Sequence, residues 1–251
     1  MFDFLRKPKG PRPIFEALST DMHCHLVPRV DDGSKSMEET LECLKIMQSV
    51  GYRRVFITPH FQFPRFPNDE DDIRQRFEEV RQAAAEHNLE IELAGVGGEY
   101  RMDSGFRDHT MQTRFLTIGE SNALDKGYLL VEFSLHQRTF GAEEMIADLQ
   151  QKGYIVVLAH PERYPYLNVN GVDISRLKEM GVLLQLNVLS LDGFYGEDPM
   201  RKAYQLLDRG WAEMLGTDTH NTLYAQALVH ASNNKRIEKI LEKTNFMNID
   251  I

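Results

Sequence analysis

The stretch Asp21-Met22-His23-Cys24-His25 places two imidazoles one residue apart at the end of the first apolar patch. In an extended strand the side chains at i and i+2 share a face, so His23 and His25 can aim at one point. Groups of the same kind recur at the ends of later apolar runs. Asp31 and Asp32 lie just beyond the first run, His60 follows "VFITP", Glu99 sits in "GVGGEY", Glu132 in "LLVEFS", His160 in "VVLAH", and Asp218 and His220 in "GTDTH". A lone histidine is more often a hydrogen-bonded core residue than a ligand. Glutamates inside such apolar runs are harder to explain, because an unpaired buried carboxylate costs several kcal/mol. Histidines, with an unperturbed pKa near 6.5, cannot all supply the countercharge at pH 7.

Divalent cations satisfy both sets at once, with neutral imidazole and ionised carboxylate as ligands. A cluster of nine such groups exceeds one tetrahedral shell and suggests two or three ions. A mixed nitrogen and oxygen set without thiolate fits Mn, Fe or Zn better than Ca or Mg. Cys24 points to the opposite face of a regular strand and reads as a buried hydrophobe. Asp31 reads as a turn or capping residue.

The elements that must position these groups follow an alternation. Short β-rich patches near 19–24, 53–60, 91–100, 128–134, 154–164, 182–187 and 212–221 are each followed by a helical pattern or, after 100, a mixed polar segment. About seven β-then-α units predict a parallel sheet. "YLLVEFS" and "YIVVLAH" are nearly continuous apolar runs, as expected of strands covered on both faces. An open doubly wound sheet would gather its polar residues at one switch point. Here they occur at the end of almost every strand, which favours a barrel with its active site at the C-terminal ends of the strands. No repeat, low-complexity segment or Gly/Ser linker marks a boundary, so residues 1–18 read as an N-terminal extension and 19–251 as one domain.

Composition narrows the function. A chain of 251 residues with 42% hydrophobic and 27% charged residues is ordinary for a globular protein, and no apolar run predicts a membrane span. "MFDFLRKPKG" lacks the apolar core of a secretory signal, so a cytoplasmic location is expected. Two cysteines without a CxxC partner predict reduced thiols. A formal net charge of −9 with no basic stripe argues against nucleic acid or an anionic membrane as partner. An anionic substrate would need local positive charge from metal ions or a few arginines.

Taken together, "DMHCHLVPRVDDGSKSMEETL", "VFITPH", "GGEY", "LLVEFS", "LAHPERY" and "GTDTHN" resemble the PHP (polymerase and histidinol phosphatase) superfamily. Within it they are most similar to the bacterial metal-dependent tyrosine-protein phosphatases of capsule and exopolysaccharide loci, over about residues 19 to 225. The resemblance implies a distorted (β/α)7 barrel with three divalent metal ions, often manganese, with Fe, Zn or Mg as further options. By position it assigns His23, His25, Glu99 and Asp218 to one ion, Glu99, Glu132 and His160 to a second, and Asp32, His60 and His220 to the third. It also implies a catalytic role for Arg163, Asp218 and His220, with Arg163 of "HPERY" binding phosphate.

The chemistry so implied is hydrolysis of a phosphotyrosine protein, a bacterial tyrosine autokinase, by a metal-bridging hydroxide. Neither cysteine is followed by the arginine that a phosphocysteine route needs. A salt bridge to Glu162 is the plain alternative for Arg163. Relatives often carry a second substrate arginine where this chain has Ala225; Arg29 is the first candidate to replace it, followed by Arg101 and Arg138. "HFQFPRFPNDEDD" at 60–72 could wall an aryl ring or simply pack its own aromatics. Two other functions stay open: a small-molecule phosphoesterase of the histidinol-phosphatase type, and a non-catalytic metal-binding PHP scaffold. A homo-oligomer is open as well, and "FDFLRK" could pack on the barrel or on a partner, or be a free tail.

Overall fold

The structure is a computed structural model that describes residues 10–103, 105–106, 114–119, 127–137, 139–169 and 172–251. The piece "FDFLRK" and the candidate Arg138 lie outside the described residues. Among the described residues the strands pair in parallel and fall in two sheets, with isolated antiparallel bridges at Gln62–Phe66 and Ile118–Tyr128. The smaller has the order β1 (Thr20–Asp21), β2 (Arg54–Ile57), β4 (Glu92–Val96). The larger runs β3 (His60–Phe61), β5 (Glu99–Arg101), β6 (Tyr128–Glu132), β7 (Ile155–Ala159), β8 (Leu183–Asn187), β9 (Met214–Gly216). The predicted strand at 53–60 is thus divided between the sheets, with β3 following β2 after two residues, and β5 follows β4 in the same way. A parallel bridge between Cys24 and Thr219 joins the segments that leave β1 and β9. There His25 N donates to Thr219 O at 2.9 Å and Asp218 N to His23 O at 2.8 Å.

Helices cover the strands where capping signals predict them. Helix α1 (Met37–Ser49) starts at Ser36, whose hydroxyl accepts from Glu39 N at 3.2 Å, and it buries Leu41, Leu44 and Met47. Helix α2 (Glu70–Glu86) starts at Asp69, which accepts from the amides of Asp71 and Asp72. Then come α3 (Ala142–Gln151), α4 (Val172–Glu179), a short α5 (Val188–Leu191), α6 (Glu197–Asp208), α7 (Thr222–Ala231) and α8 (Lys235–Lys243). Among the described residues no helix is long and apolar enough to cross a membrane.

The strand alternation separates two apolar clusters. Leu129, Val131, Val156 and Leu158 join the large cluster shared with the helices. Their neighbours Leu130, Val157 and Ala159 turn the other way and pack with Met22, Phe56, Ile118, Met214 and the C-terminal Ile251. The side chain of Asn248 ties this end together by bonding Leu215 N, Leu215 O and Thr20 O at 2.9, 2.7 and 2.9 Å. Within the extension read from sequence, Phe15 and Leu18 are buried, and Phe15 stacks on Tyr52.

Candidate metal centre

At the carboxyl ends of the strands the inward rows change from apolar to polar. In β6, Leu130 of the inner cluster is followed two residues on by buried Glu132; in β8, Leu183 leads to buried Gln185 and Asn187. His23 and His25 lie just past β1, His60 and Glu99 begin β3 and β5, His160 follows β7, and Asp218 and His220 follow β9. His160 and Asp218 both take left-handed backbone at φ of 36° and 52°. Such geometry in a residue other than glycine costs on the order of 1–3 kcal/mol and clusters at functional sites. Gly216 is needed for the close approach, since a Cβ there would meet His23 Cβ at 2.8 Å and Gln185 Nε2 at 2.7 Å.

Hydrogen bonds fix the imidazole tautomers. His23 Nδ1 lies 2.7 Å from Gln185 Oε1, and the amide of Gln185 is oriented by donating to Asn187 Oδ1 at 3.0 Å. His25 Nδ1 lies 2.9 Å from Asp31 Oδ2, and His220 Nδ1 lies 2.9 Å from the Asp218 carbonyl. Each Nδ1 therefore carries the proton and each Nε2 presents a lone pair. The Nε2 atoms of His23 and His25 are 3.2 Å apart, and each lies 3.4–3.5 Å from Glu99 Oε2 and Asp218 Oδ1. His60 Nδ1 is 3.0 Å from Glu99 Oε2 and 3.4 Å from Glu132 Oε1, while His160 Nε2 is 3.0 Å from Glu99 Oε1. Glu99 is the hub.

Two lone pairs facing each other and a carboxylate at their centre repel unless a cation or proton lies between them. Protons alone leave the set unsatisfied: His60 Nδ1, Glu99 Oε2 and His160 Nδ1 are buried without a hydrogen-bond partner. Among the described residues four triads have ligand atoms within 4.8 Å of one another: His23-His25-Asp218, His23-Glu99-His160, His60-Glu99-Glu132 and His25-His60-His220. The donor set thus fits divalent ions. Asp32 belongs to none of these triads; it stands at the rim, 41% exposed, 3.4 Å from His60 Nε2 and 3.7 Å from His220 Nε2.

The electrostatics match this reading. Burial lowers the affinity of His23 for a proton, yet Glu99 and Asp218 outweigh it and raise its pKa to about 9. Burial, with His25 beside it, pushes His220 down to about 4, and burial does the same to His160. Burial and the neighbouring Glu99 lift Glu132 to about 7. Despite burial, the surrounding imidazoles hold Glu99 and Asp218 well below the usual carboxylate range.

Arginines frame the cluster differently from the sequence expectation. Arg163 Nη1 donates to Asp218 Oδ2 at 2.6 Å and its guanidinium lies 4.4 Å above the Tyr195 ring. The alternative partner Glu162 instead accepts from Asn187 N and Ser190 Oγ. Arg101 Nε donates to Glu132 Oε1 at 2.9 Å, inside the cluster. Arg29, the first candidate for the second clamp, donates to the Lys35 carbonyl, and Ala225 is fully buried in α7. In the 60–72 segment Phe61 packs inward on Tyr100, and Phe66 lies parallel to the His60 ring at 5.6 Å.

The sequence reading missed Gln185, which orients His23, and Asn187, whose Nδ2 donates to Asp218 Oδ2 at 2.8 Å. Their signal was two amides, i and i+2, in the apolar run "VLLQLN". It also undervalued Asp31, which orients His25 and accepts from His60 N at 2.8 Å.

The chain matches the family model for capsular polysaccharide synthesis, CpsB/CapC, over residues 19–249. It is 30% identical to the tyrosine-protein phosphatase CpsB of Streptococcus pneumoniae over 207 residues, covering 80% of this chain and 82% of that protein. It is 26% identical to the tyrosine-protein phosphatase YwqE of Bacillus subtilis over 201 residues, covering 80% and 77%. Among solved structures, one from a study of YwqE and CpsB, metal-dependent tyrosine phosphatases, superposes with a TM-score of 0.74 at 23% identity, covering 92% of this chain and 94% of that one. An amidohydrolase from Mycoplasma synoviae follows the fold more loosely, at a TM-score of 0.52 and 14% identity over 97% of this chain and 89% of that one. With the family model spanning nearly the whole chain, the protein belongs to the CpsB/CapC family.

Proposed function

We propose that this protein is a metal-dependent phosphotyrosine-protein phosphatase of a capsule or exopolysaccharide locus, acting in the cytoplasm on a tyrosine autokinase. The observation that carries the reading is the convergence of His23, His25, His60, Glu132 and His160 on Glu99, with Asp218 beside His23 and His25 and with His60 Nδ1 and Glu99 Oε2 buried without a hydrogen-bond partner. Family membership and the phosphatase names of CpsB and YwqE supply the substrate class.

The two parallel sheets and the Cys24–Thr219 bridge support a distorted seven-stranded barrel formed by residues 19–251. Within it His23, His25, Glu99 and Asp218 would hold one ion, Glu99, Glu132 and His160 a second, and Asp32, His60 and His220 a third, with manganese the first choice. When bound, such ions supply Lewis acidity: they neutralise phosphoryl oxygens and acidify water.

The chain's own residues do the rest. Gln185, Asp31 and the Asp218 carbonyl keep His23, His25 and His220 in the tautomer that offers Nε2. Asn187 and Arg163 occupy the outer oxygen of Asp218, leaving its Oδ1 for the cluster. The planar fork of Arg163 suits a phosphoryl group bidentately, and stacking on Tyr195 restricts its swing. His220 and Asp218 would act on the phosphoryl group through the ions they hold, since Asp218 is a buried, ionised carboxylate that would repel it directly.

The test is turnover of a phosphotyrosyl peptide and of histidinol phosphate by protein loaded with Mn, before and after chelation. The reading expects chelator-sensitive hydrolysis with the peptide preferred. Preference for histidinol phosphate would move the protein to the small-molecule class, and metal binding without turnover would make it a scaffold.

A further inference from the structure

The site carries at least four carboxylates in a chain of net charge −9, so a phosphate ester needs positive side chains at the rim as well as ions. Arg163 is one. Its setting has two parts: an ion pair from Nη1 to the outer oxygen of Asp218 at 2.6 Å, and a ring, Tyr195, 4.4 Å beneath the guanidinium. The same pair of devices occurs across the cluster. Arg65 Nη2 donates to Asp32 Oδ2 at 3.2 Å, and its guanidinium lies 4.6 Å above the Phe66 ring. Phe66 in turn lies parallel to His60, at 6° and 5.6 Å.

The loop bearing Arg65 is fastened to the site. Gln62 and Phe66 exchange backbone hydrogen bonds at 3.1 and 2.6 Å, and Asn68 Nδ2 donates to His60 O at 2.7 Å and Val30 O at 3.1 Å. The other described candidates are committed elsewhere: Arg101 to Glu132 and the Phe133 carbonyl, Arg29 to the Lys35 carbonyl. Arg65 is 61% exposed, so its remaining N–H groups face the solvent from which substrate arrives.

We propose that Arg65 is a second phosphate-binding arginine, donating to a non-bridging phosphoryl oxygen from the side opposite Arg163. The inference rests on the phosphatase reading above. Asp32 then has two duties, facing His60 and His220 with Oδ1 while parking the guanidinium on Oδ2. The plain alternative is a surface ion pair, of the kind that contributes little.

The experiment uses the metal-loaded protein with Arg65→Ala and Arg65→Lys. Three quantities are read: the inhibition constant of inorganic phosphate, confirmed by calorimetric binding of phosphate; KM and kcat on an aryl phosphate; and bound metal per chain. A lost charge-assisted hydrogen bond at an exposed position predicts roughly a 10-fold rise in KM and in the phosphate inhibition constant for Arg65→Ala. Metal content and kcat stay near wild type, and lysine recovers part of the loss. Unchanged phosphate affinity in an active enzyme overturns the role of Arg65 and leaves the phosphatase reading standing. A loss that comes with loss of metal also overturns it, because Arg65 then acts only by holding Asp32. A wild-type protein that neither binds phosphate nor turns over the ester removes the phosphatase reading and this role with it.

Discussion

The two ends of the parallel strands use the same inward rows for opposite purposes. At one end Met214, Leu183, Tyr128, Ile118 and Ile251 pack together beneath Leu130 and Val157, and the C-terminal turn with Asn248 closes them over. At the other, one strand turn further, Glu132, Gln185, Asn187 and Asp218 are equally buried but polar. The apolar end is satisfied by burial alone, since each side chain gains about 25 cal/mol per Å² removed from water. The polar end is not: its carboxylates and lone-pair nitrogens face one another and require cations. Stability and function are thereby assigned to different parts of one set of parallel strands.

That contrast is broken most sharply at Glu99. Glu99→Gln should abolish metal retention and cut phosphatase turnover well beyond the roughly 10- to 100-fold cost of losing an orienting partner. The thermal stability of its metal-free form should be equal to or above that of metal-free wild type, because one of the crowded carboxylates is gone. A drop in stability would show that Glu99 is structural. At the opposite end, Ile118→Ala should cost about 2–5 kcal/mol in denaturant unfolding while the folded fraction keeps its metal content and KM. Loss of metal affinity in that variant would show that the ends are coupled.

Asp31→Asn should weaken metal affinity roughly 10- to 100-fold with little change in unfolding midpoint, since the amide no longer enforces the His25 tautomer. The smallest effect concerns pH. His23 has its pKa raised from 6.5 to about 9 in the fold, so its contribution is fully present below pH 6.5 and is lost as pH rises through 9. His160 and His220, depressed to about 4, change stability only below pH 6.5, outside that window. Metal-free protein should therefore lose Tm steadily between pH 6.5 and 9, with His25 and His60, also raised despite burial by their carboxylate neighbours, adding in the same direction. Metal-loaded protein should show a flat profile there. A falling profile in both forms would mean that ions do not replace the His23 proton.

Much of this architecture was legible in the chain. The spacing of His23 and His25 and the polar residues ending "LLVEF" and "VVLAH" foretold that these groups would meet, because strand periodicity fixes a face. Periodicity does not fix the path of loops. It therefore gave no warning that Arg29 would turn to the Lys35 carbonyl while Arg65, in a Pro-rich loop, would reach Asp32. Nor did it separate two adjacent carboxylates: the Asp31 side chain is buried behind His25, while Asp32 is half-open at the rim. The break of one predicted strand into β2 and β3 escaped notice for the same reason, since both halves remain apolar and extended.

The central claim is that divalent ions hold the polar end together. Metal analysis of chelated and Mn-reconstituted wild-type protein, read with the unfolding midpoint of each, tests it directly. The account predicts more than one ion per chain after reconstitution, with a Tm raised in proportion to occupancy. A chain that folds to the same Tm and retains no ion would contradict it.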